Sequence, residues 1–174
     1  MENNKVDTFI NWVLSKNRDK GFIAKLRKAD SETTEYQAWE ILARWIDLDN
    51  PWQRRAFGLI GASITRVRAQ KDGDLGLGSA LRRLYLQHAK ESEIERSAEA
   101  LRLRRILSCR DQRELVAVLK PLLRYLVNNE IAISHTRLLK ELLWFDHERA
   151  QERIRIRWAK EFYAVSSSAE EDLK

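Results

Sequence analysis

The stretch of residues 111–127, DQRELVAVLKPLLRYLV, decides the fold class because it combines a helix start with two chemically distinct faces. Asp111 followed three residues later by Glu114 forms an acidic capping box, which predicts a helix beginning here. Apolar residues recur at helical spacing on one face and cations on the other. The leucines are Leu115, Leu119, Leu122 and Leu126, and the cations are Arg113, Lys120 and Arg124. The stretch therefore predicts an amphipathic helix that buries its leucines.

Helix-start signals recur on both sides of this stretch. Asn50 before Pro51 is a strong one, because proline fits the first turn of a helix. Capping boxes at Thr34 and Ser92 and a cap at Ser134 open three more helices. The predicted helices cover approximately 5–16, 22–29, 35–46, 51–69, 79–88, 93–108, 111–127, 135–144 and 147–164.

The composition supports an all-α fold of about eight to nine helices. Two prolines and six glycines are too few for a β-sandwich or barrel, which needs frequent turns. Three of the glycines fall in residues 70–78, which predicts a loop. We predict an N-terminal helical lobe over residues 1–89, a C-terminal lobe resembling a four-helix bundle over 90–165, and a flexible tail over 166–174.

The net charge indicates which classes of binding partner the protein favours. The formal net charge is +6, which favours anionic partners such as nucleic acid, although a solvated basic surface gives the same total. The single cysteine, Cys109, suits a reducing cytoplasm. The N-terminus lacks the pattern of a signal peptide, and no apolar run is long enough to span a membrane. The sequence thus predicts a cytoplasmic protein.

Signals for catalysis and for cofactors are missing from the sequence. The three histidines, His88, His135 and His147, are not neighbours, and no cysteine pair is available for zinc. The glycine-rich segment 73–78 lacks the Gly-Lys-Ser/Thr ending of a phosphate-binding loop. We therefore expect a non-catalytic protein with no metal and no cofactor.

The arginines are the informative residues, because guanidinium groups bind phosphate oxygens bidentately. A second basic stripe, at spacings of four, four and three, comprises Arg149, Arg153, Arg157 and Lys160. Stripes of this kind can follow a nucleic-acid backbone.

Core packing is the interpretation for four of the six tryptophans, Trp39, Trp45, Trp144 and Trp158. The roles of Trp12 and Trp52 stay open, and Trp52 is a candidate stacking platform or interface anchor.

Four ordered motifs resemble one known family. They are Leu26-Arg27-Lys28-Ala29-Asp30, Leu77-Gly78-x-Ala80-Leu81-Arg82-Arg83-Leu84, Arg102-x-x-Arg105-Ile106-Leu107-x-x-Arg110-Asp111, and Leu138-Leu139-x-x-Leu142-Leu143-Trp144 followed by Arg157-Trp158-Ala159-Lys160-Glu161-Phe162-Tyr163. In this order they resemble the small subunit of the type I-E CRISPR interference complex, Cascade, known as the CasB family. The resemblance spans about residues 20–164.

The resemblance implies a non-catalytic, all-helical subunit present as a head-to-tail pair. Its implied partners are the backbone subunit that coats the guide RNA (crRNA), the large subunit that reads the PAM, and the target DNA including the displaced strand. It implies a basic surface that stabilises the R-loop. Motif residues are the first candidates for nucleic-acid contact, and stripe residues follow by helix geometry. The candidates are Arg27, Lys28, Arg82, Arg83, Arg102, Arg105, Arg110, Arg113, Lys120, Arg124, Arg153 and Arg157.

Two alternatives remain on the residues alone. The basic faces of a purely structural scaffold subunit would dock acidic protein surfaces. A helix-turn-helix regulator would need a short recognition helix after a tight turn, and the connection near residues 108–113 is the candidate for that turn. Changing Arg110 and Arg124 to glutamate is expected to weaken DNA binding without preventing assembly if the leading hypothesis holds.

Overall fold

The structure is a computed structural model and describes residues 2–67, 70–88 and 94–163. Within these ranges the chain forms nine α-helices, two short 3-10 helices, and no strand beyond an isolated parallel bridge between Leu75 and Ile133. The helices are α1 Glu2–Lys16, α2 Lys20–Leu26, α3 Trp39–Leu42, α4 Pro51–Val67, α5 Leu77–His88, α6 Ala98–Leu107, α7 Gln112–Asn128, α8 His135–Trp144 and α9 Glu148–Tyr163. The prediction of an all-helical fold is confirmed.

Three predicted helix starts are confirmed by their cap hydrogen bonds. The Asp111 side chain accepts from the Glu114 backbone N–H at 2.8 Å. The Ser134 hydroxyl oxygen accepts from the N–H of Arg137 at 3.3 Å. The side-chain amide oxygen of Asn50 accepts from the backbone N–H of Gln53 at 3.1 Å. Each side chain satisfies a backbone donor that the first turn of a helix leaves without a partner.

Two predicted helix starts differ from the structure. The Thr34 hydroxyl donates to the Lys28 carbonyl oxygen at 3.0 Å instead of capping a helix. A 3-10 helix, Glu35–Ala38, and the four-residue α3 follow in place of one longer helix. The helix expected from the Ser92 box begins later, after Ser97, whose hydroxyl oxygen accepts from the N–H of Ala100. Ser92 itself lies outside the described residues.

Helix α4 is the centre of the packing. Its residues from Ala56 to Thr65 are all buried, and it contacts α1, α2, α7 and α8. The pair α5 and α9 packs closely alongside, and a Cβ atom at Gly78 would collide with the carbonyl oxygen of Trp158. Only glycine permits this approach of the two helices. Helices from the first half of the chain thus form the core together with helices from the second half.

The predicted lobe boundary and the predicted tail fall where nothing is described. Residues 89–93 and 164–174 lie outside the described ranges. The division at residue 89 therefore stays a prediction. Buried residues on both sides of it belong to one continuous hydrophobic cluster.

Asp72, in the loop before α5, fixes the N-terminus of α8. Its carboxylate accepts from the backbone N–H groups of His135 and Thr136 at 2.8 and 2.9 Å. Burial acts to raise the pKa of Asp72, but the hydrogen bonds from the His135 side chain and these backbone groups outweigh it and lower the pKa to about 2. The position of α8 thus depends on an ionised carboxylate.

The division of the tryptophans into buried and exposed side chains differs from the prediction. Trp158 is buried as expected, and Trp45 packs partly buried against the core. The expected burial of Trp39 and Trp144 is wrong, because both are substantially exposed. Trp52 is exposed and donates its indole N–H to Asp146.

Candidate nucleic-acid interface

An open groove of about 790 Å³ lies between α8 and α9 and is called the α8–α9 groove below. Its lining includes four cationic side chains, Arg137 and Lys140 from α8 and Arg153 and Arg157 from α9, but only one carboxylate, that of Glu141. Residues three or four positions apart share a helix face, so each helix presents a pair of cations to the groove. The result is a concave surface of net positive charge.

Glu141 is buried in the wall of this groove and holds two of its arginines. One carboxylate oxygen accepts from the Trp158 indole N–H at 2.9 Å, and the other lies 3.1 Å from Arg157 Nη1 and 3.4 Å from Arg137 Nε. Burial raises the pKa of Glu141, against the opposing effects of the Trp158 hydrogen bond and of Arg137 and Arg157. Glu141 thus orients the two guanidinium groups and offsets part of their charge.

Arg153 differs from the other three cations of the groove. It is exposed and makes no ion pair with any described residue. Lys140, by contrast, has its Nζ atom 2.9 Å from a carboxylate oxygen of Asp7 on α1. An anion that binds Arg153 does not have to displace an internal partner. Among the groove cations, Arg153 is therefore the best placed to bind a phosphate.

Trp144 ends α8 at the edge of the groove with 46% of its surface exposed. Its ring lies 4.9 Å, centroid to centroid, from the exposed ring of His147. The neighbouring Phe145 is fully buried, which turns Trp144 outward at the end of the helix. The groove thus combines cations with an exposed aromatic ring.

The cations of α7 are arranged in another way, around the carboxylate of Asp30. That side chain is only 3% exposed, and Arg66 Nη2 lies 2.7 Å from it. Lys120 Nζ and Arg124 Nη2 each lie 3.6 Å from its oxygens, and Lys120 also donates to the Asp30 carbonyl oxygen at 2.6 Å. We call these four residues the Asp30 cluster. It ties α4 and α7 to the segment that follows α2.

Three other predicted residues donate hydrogen bonds within the protein. Arg27 donates to the carbonyl oxygen of Thr65 at 2.9 Å, and Arg82 donates to that of Phe162 at 3.0 Å. Both arginines are partly buried, and their bonds join α2 to α4 and α5 to α9. The exposed Lys28 donates to the side chain of Gln37 at 2.5 Å.

Arg102, Arg105 and Arg83 lie on the surfaces of α6 and α5. The guanidinium carbon of Arg102 is 4.5 Å from the centre of the Tyr125 ring, a cation–π contact between α6 and α7. Arg102 and Arg105 line a second, smaller cavity of about 310 Å³ between these helices. Arg83 and Arg105 are exposed and make no ion pair with a described residue.

Arg110 and Arg113 lie at the start of α7 in exposed ion pairs. Arg110 Nη2 is 3.0 Å from Glu114, which lowers the pKa of that carboxyl through hydrogen bonds from the Arg110 backbone and side chain. Arg113 is 3.9 Å from Glu32. Both arginines are mostly exposed, so solvent weakens these pairs and leaves the guanidinium groups accessible.

A hydrogen-bonded relay runs from α4 to α8 through His135. Ser63 Oγ lies 3.0 Å from His135 Nε2, and His135 Nδ1 lies 3.0 Å from Asp72 Oδ1. The order of groups is that of a serine–histidine–aspartate triad. Ser63 and His135, however, are only 2% and 4% exposed, so a substrate has no access to the hydroxyl. The relay joins α4 to α8 and so supports one wall of the groove.

The structure therefore separates the twelve candidate cations into several places. The α8–α9 groove contains Arg153 and Arg157, and the Asp30 cluster contains Lys120 and Arg124. Sequence reasoning missed Arg137, Lys140 and Trp144 as groove residues. Arg137, Lys140 and Trp144 lie three and four residues apart on α8, and that spacing was the signal available in the sequence.

Two further findings hold for the described ranges. None of their helices is both long and apolar enough to cross a membrane. They contain no group of three or more histidine, cysteine, aspartate or glutamate side chains placed to hold a metal ion.

Fold and groove together define a small, basic, all-helical protein with a surface suited to a polyanion. The family model of the CRISPR-associated protein Cse2 matches residues 23–163, and the chain belongs to this family. This confirms the family resemblance found in the four sequence motifs.

Two solved structures share the fold. A chain of a CRISPR RNA-guided surveillance complex superposes with a TM-score of 0.75 at 17% identity, covering 93% of each chain. CasB from Thermobifida fusca superposes with a TM-score of 0.62 at 18% identity, covering 93% of this chain and 95% of that one. A comparison with curated proteins gives no match.

Proposed function

We propose that this protein is the non-catalytic small subunit of the type I-E CRISPR interference complex, Cascade. In this role it binds the nucleic-acid backbone without reading sequence and stabilises the target and displaced strands of the R-loop. The observation that carries the proposal is the α8–α9 groove of a Cse2 family member, with four cations on two facing helices and one buried carboxylate.

Backbone binding follows from the chemistry of the groove. Guanidinium and ammonium groups bind phosphate oxygens, which every nucleotide carries irrespective of its base. Each phosphate that is neutralised releases counterions, so affinity falls steeply as salt rises. The exposed Arg153 and the Glu141-oriented Arg157 are the first residues to which we assign this contact. The remaining predicted cations stay candidates.

The proposed partners are the other Cascade subunits, the guide RNA and the target DNA, with two copies of this chain arranged head to tail. The similarity to a chain of an RNA-guided surveillance complex supports this assignment. The proposed role requires no cofactor, and it would be carried out in the cytoplasm. The proposed role is non-catalytic, and it assigns a structural function to the triad-like relay, whose Ser63 hydroxyl is inaccessible to a substrate.

The test compares charge reversal inside and outside the groove. Arg153→Glu should weaken binding of a mixed-sequence oligonucleotide about tenfold at low salt and reduce the slope of affinity against salt. Arg44→Glu is the matched control, because Arg44 is an exposed cation away from the groove and the change in net charge is identical. It should leave affinity within twofold of the unmodified protein.

Co-purification with the other complex subunits and a guide RNA distinguishes the scaffold alternative. Arg153→Glu should still assemble under the proposed function. Lost assembly together with unchanged oligonucleotide affinity would instead establish that the basic groove docks an acidic protein surface. Failure of the unmodified chain to co-purify would contradict the assignment to Cascade.

A further inference from the structure

Trp144 exposes apolar surface in a groove whose lining also includes four cationic side chains. Its ring is held on one side by His147, while nearly half of the side chain remains exposed. Lys140 lies one helical turn before it on α8, and Arg153 lines the same groove from α9. Exposed tryptophan beside cations is the arrangement that binds single-stranded nucleic acid, in which bases stack and phosphates pair with cations.

The spacing of two arginines on α9 fits the phosphates of a nucleic-acid strand, and Trp144 distinguishes an unpaired strand from a duplex. Arg153 and Arg157 are separated by four residues, which corresponds to a rise of about 6 Å along α9. This spacing is close to the separation of successive phosphates in an extended strand. A duplex presents its phosphates as well, but its bases are stacked inside and cannot reach an aromatic side chain. Trp144 therefore adds binding energy only to a strand with unpaired bases.

We propose that Trp144 is a stacking platform for an unpaired nucleobase whose flanking phosphates contact Arg153 and Arg157. This rests on the proposed function and makes the α8–α9 groove selective for single-stranded over double-stranded nucleic acid. Stacking tolerates any base, since each has a flat π face, so the selectivity does not depend on sequence.

The experiment measures affinity of the full chain for a single-stranded oligonucleotide and for the corresponding duplex. Trp144→Ala should weaken single-strand binding about tenfold and change duplex binding less than twofold. Trp144→Phe should retain most of the single-strand affinity because it keeps an aromatic face. It should also remove most of the tryptophan fluorescence quenching that the single strand causes in the unmodified protein. Trp39→Ala is the matched control, since Trp39 is an exposed tryptophan outside the groove.

The outcomes separate this inference from the proposed function. If Arg153→Glu weakens binding but Trp144→Ala leaves the single-strand preference unchanged, stacking is refuted while backbone binding stands. If neither variant alters binding, both fail. If Trp144→Ala abolishes co-purification with the complex and leaves single-strand affinity intact, the ring anchors a protein partner and the inference is wrong. Should Trp144→Ala fail to fold, Trp144→Phe with its fluorescence readout decides.

Discussion

The Asp30 cluster and the α8–α9 groove contain the same residue types at the same helical spacing, but the cations are paired within the fold in the first and partly accessible in the second. Lys120 and Arg124 of α7 are four residues apart, as are Arg153 and Arg157 of α9. The α7 pair converges with Arg66 on one buried carboxylate. Within the α9 pair, Arg153 makes no ion pair among the described residues. A basic stripe thus becomes structural or accessible according to what packs against it.

Desolvation explains the difference. A carboxylate buried as deeply as Asp30 is costly unless cations surround it, so the fold places three around it. Three of the four groove cations have carboxylate partners, Arg157 with Glu141, Arg137 with Glu141 and Glu161, and Lys140 with Asp7, whereas Arg153 pairs with no described carboxylate. The charge of Arg153 is therefore available to a ligand, whereas the charge of the Asp30 cluster is partly neutralised within the fold.

The largest expected effect tests the structural side of this comparison. Asp30→Ala should destabilise the protein by about 3 kcal/mol, because it leaves Arg66, Lys120 and Arg124 repelling one another without their common partner. For a chain of this length the melting temperature should fall by roughly 10 °C. Thermal unfolding measures this directly, with Asp49→Ala, an exposed aspartate, as the control. An unchanged melting temperature would show that the cluster is not structural.

The same comparison changes how the Arg124→Glu variant is to be interpreted. Because Arg124 lies 3.6 Å from Asp30, Arg124→Glu would place two carboxylates together and disturb the fold. Reduced DNA binding in that variant would not identify a contact residue. Arg153→Glu is the cleaner test, since it opposes no described partner.

The second effect concerns the wall of the groove and is pH-dependent. The pKa of Asp72 is lowered from 3.8 to about 2 in the fold. The ionised carboxylate therefore contributes about 2 kcal/mol to the free energy of unfolding, and this contribution is fully present above about pH 4. It is lost as the pH falls toward 2, because the unfolded chain then binds the proton more readily. Asp72→Asn should lack this contribution at pH 7.

Unfolding of both proteins in denaturant between pH 7 and pH 2 checks this expectation. The two stabilities should converge as the pH falls. A constant difference across that range would show that the charge of Asp72 does not hold α8 in place.

The smallest effect tests the accessible side of the comparison. Glu141→Gln keeps an acceptor for the Trp158 indole N–H but removes the counter-charge of Arg157 and one of the two carboxylates that pair with Arg137, which keeps Glu161. Nucleic-acid affinity should rise about threefold at low salt, and the gain should vanish at high salt. Stability should be unchanged or higher, since burial disfavours the ionised carboxyl. Unaltered affinity would show that Glu141 does not limit the charge of the groove.

Much of the fold could be predicted because local side-chain chemistry determines helix starts. Asp111 and Ser134 act as caps where the sequence indicates, and the leucine face of α7 is buried. Thr34 fails as a cap because its hydroxyl reaches the carbonyl of Lys28, six residues earlier. Whether this hydroxyl accepts from a backbone N–H as a cap or is oriented to donate to the Lys28 carbonyl depends on the fold of the segment after α2, which the capping pattern does not contain.

The candidate site was less predictable than the fold. The sequence identifies Arg153 and Arg157 as a stripe, and the spacing of Arg137 and Lys140 places these two on one face of α8, but it does not show that this face packs opposite α9. Trp144 lies beside an apolar stripe, so core packing was the natural prediction. Its exposure follows from the register of α8, in which Leu142 and Phe145 take the buried positions.

The sequence by itself determined an all-helical, basic protein of the Cse2 family, because helix caps, apolar periodicity and ordered motifs are local properties of the chain. Only the tertiary structure decided which cations remain accessible. Asp30 lies 90 residues from Lys120, and Asp72 lies 63 residues from His135. Whether such groups meet depends on how the helices pack, and burial then determines whether a charge is neutralised within the fold or remains free for a ligand.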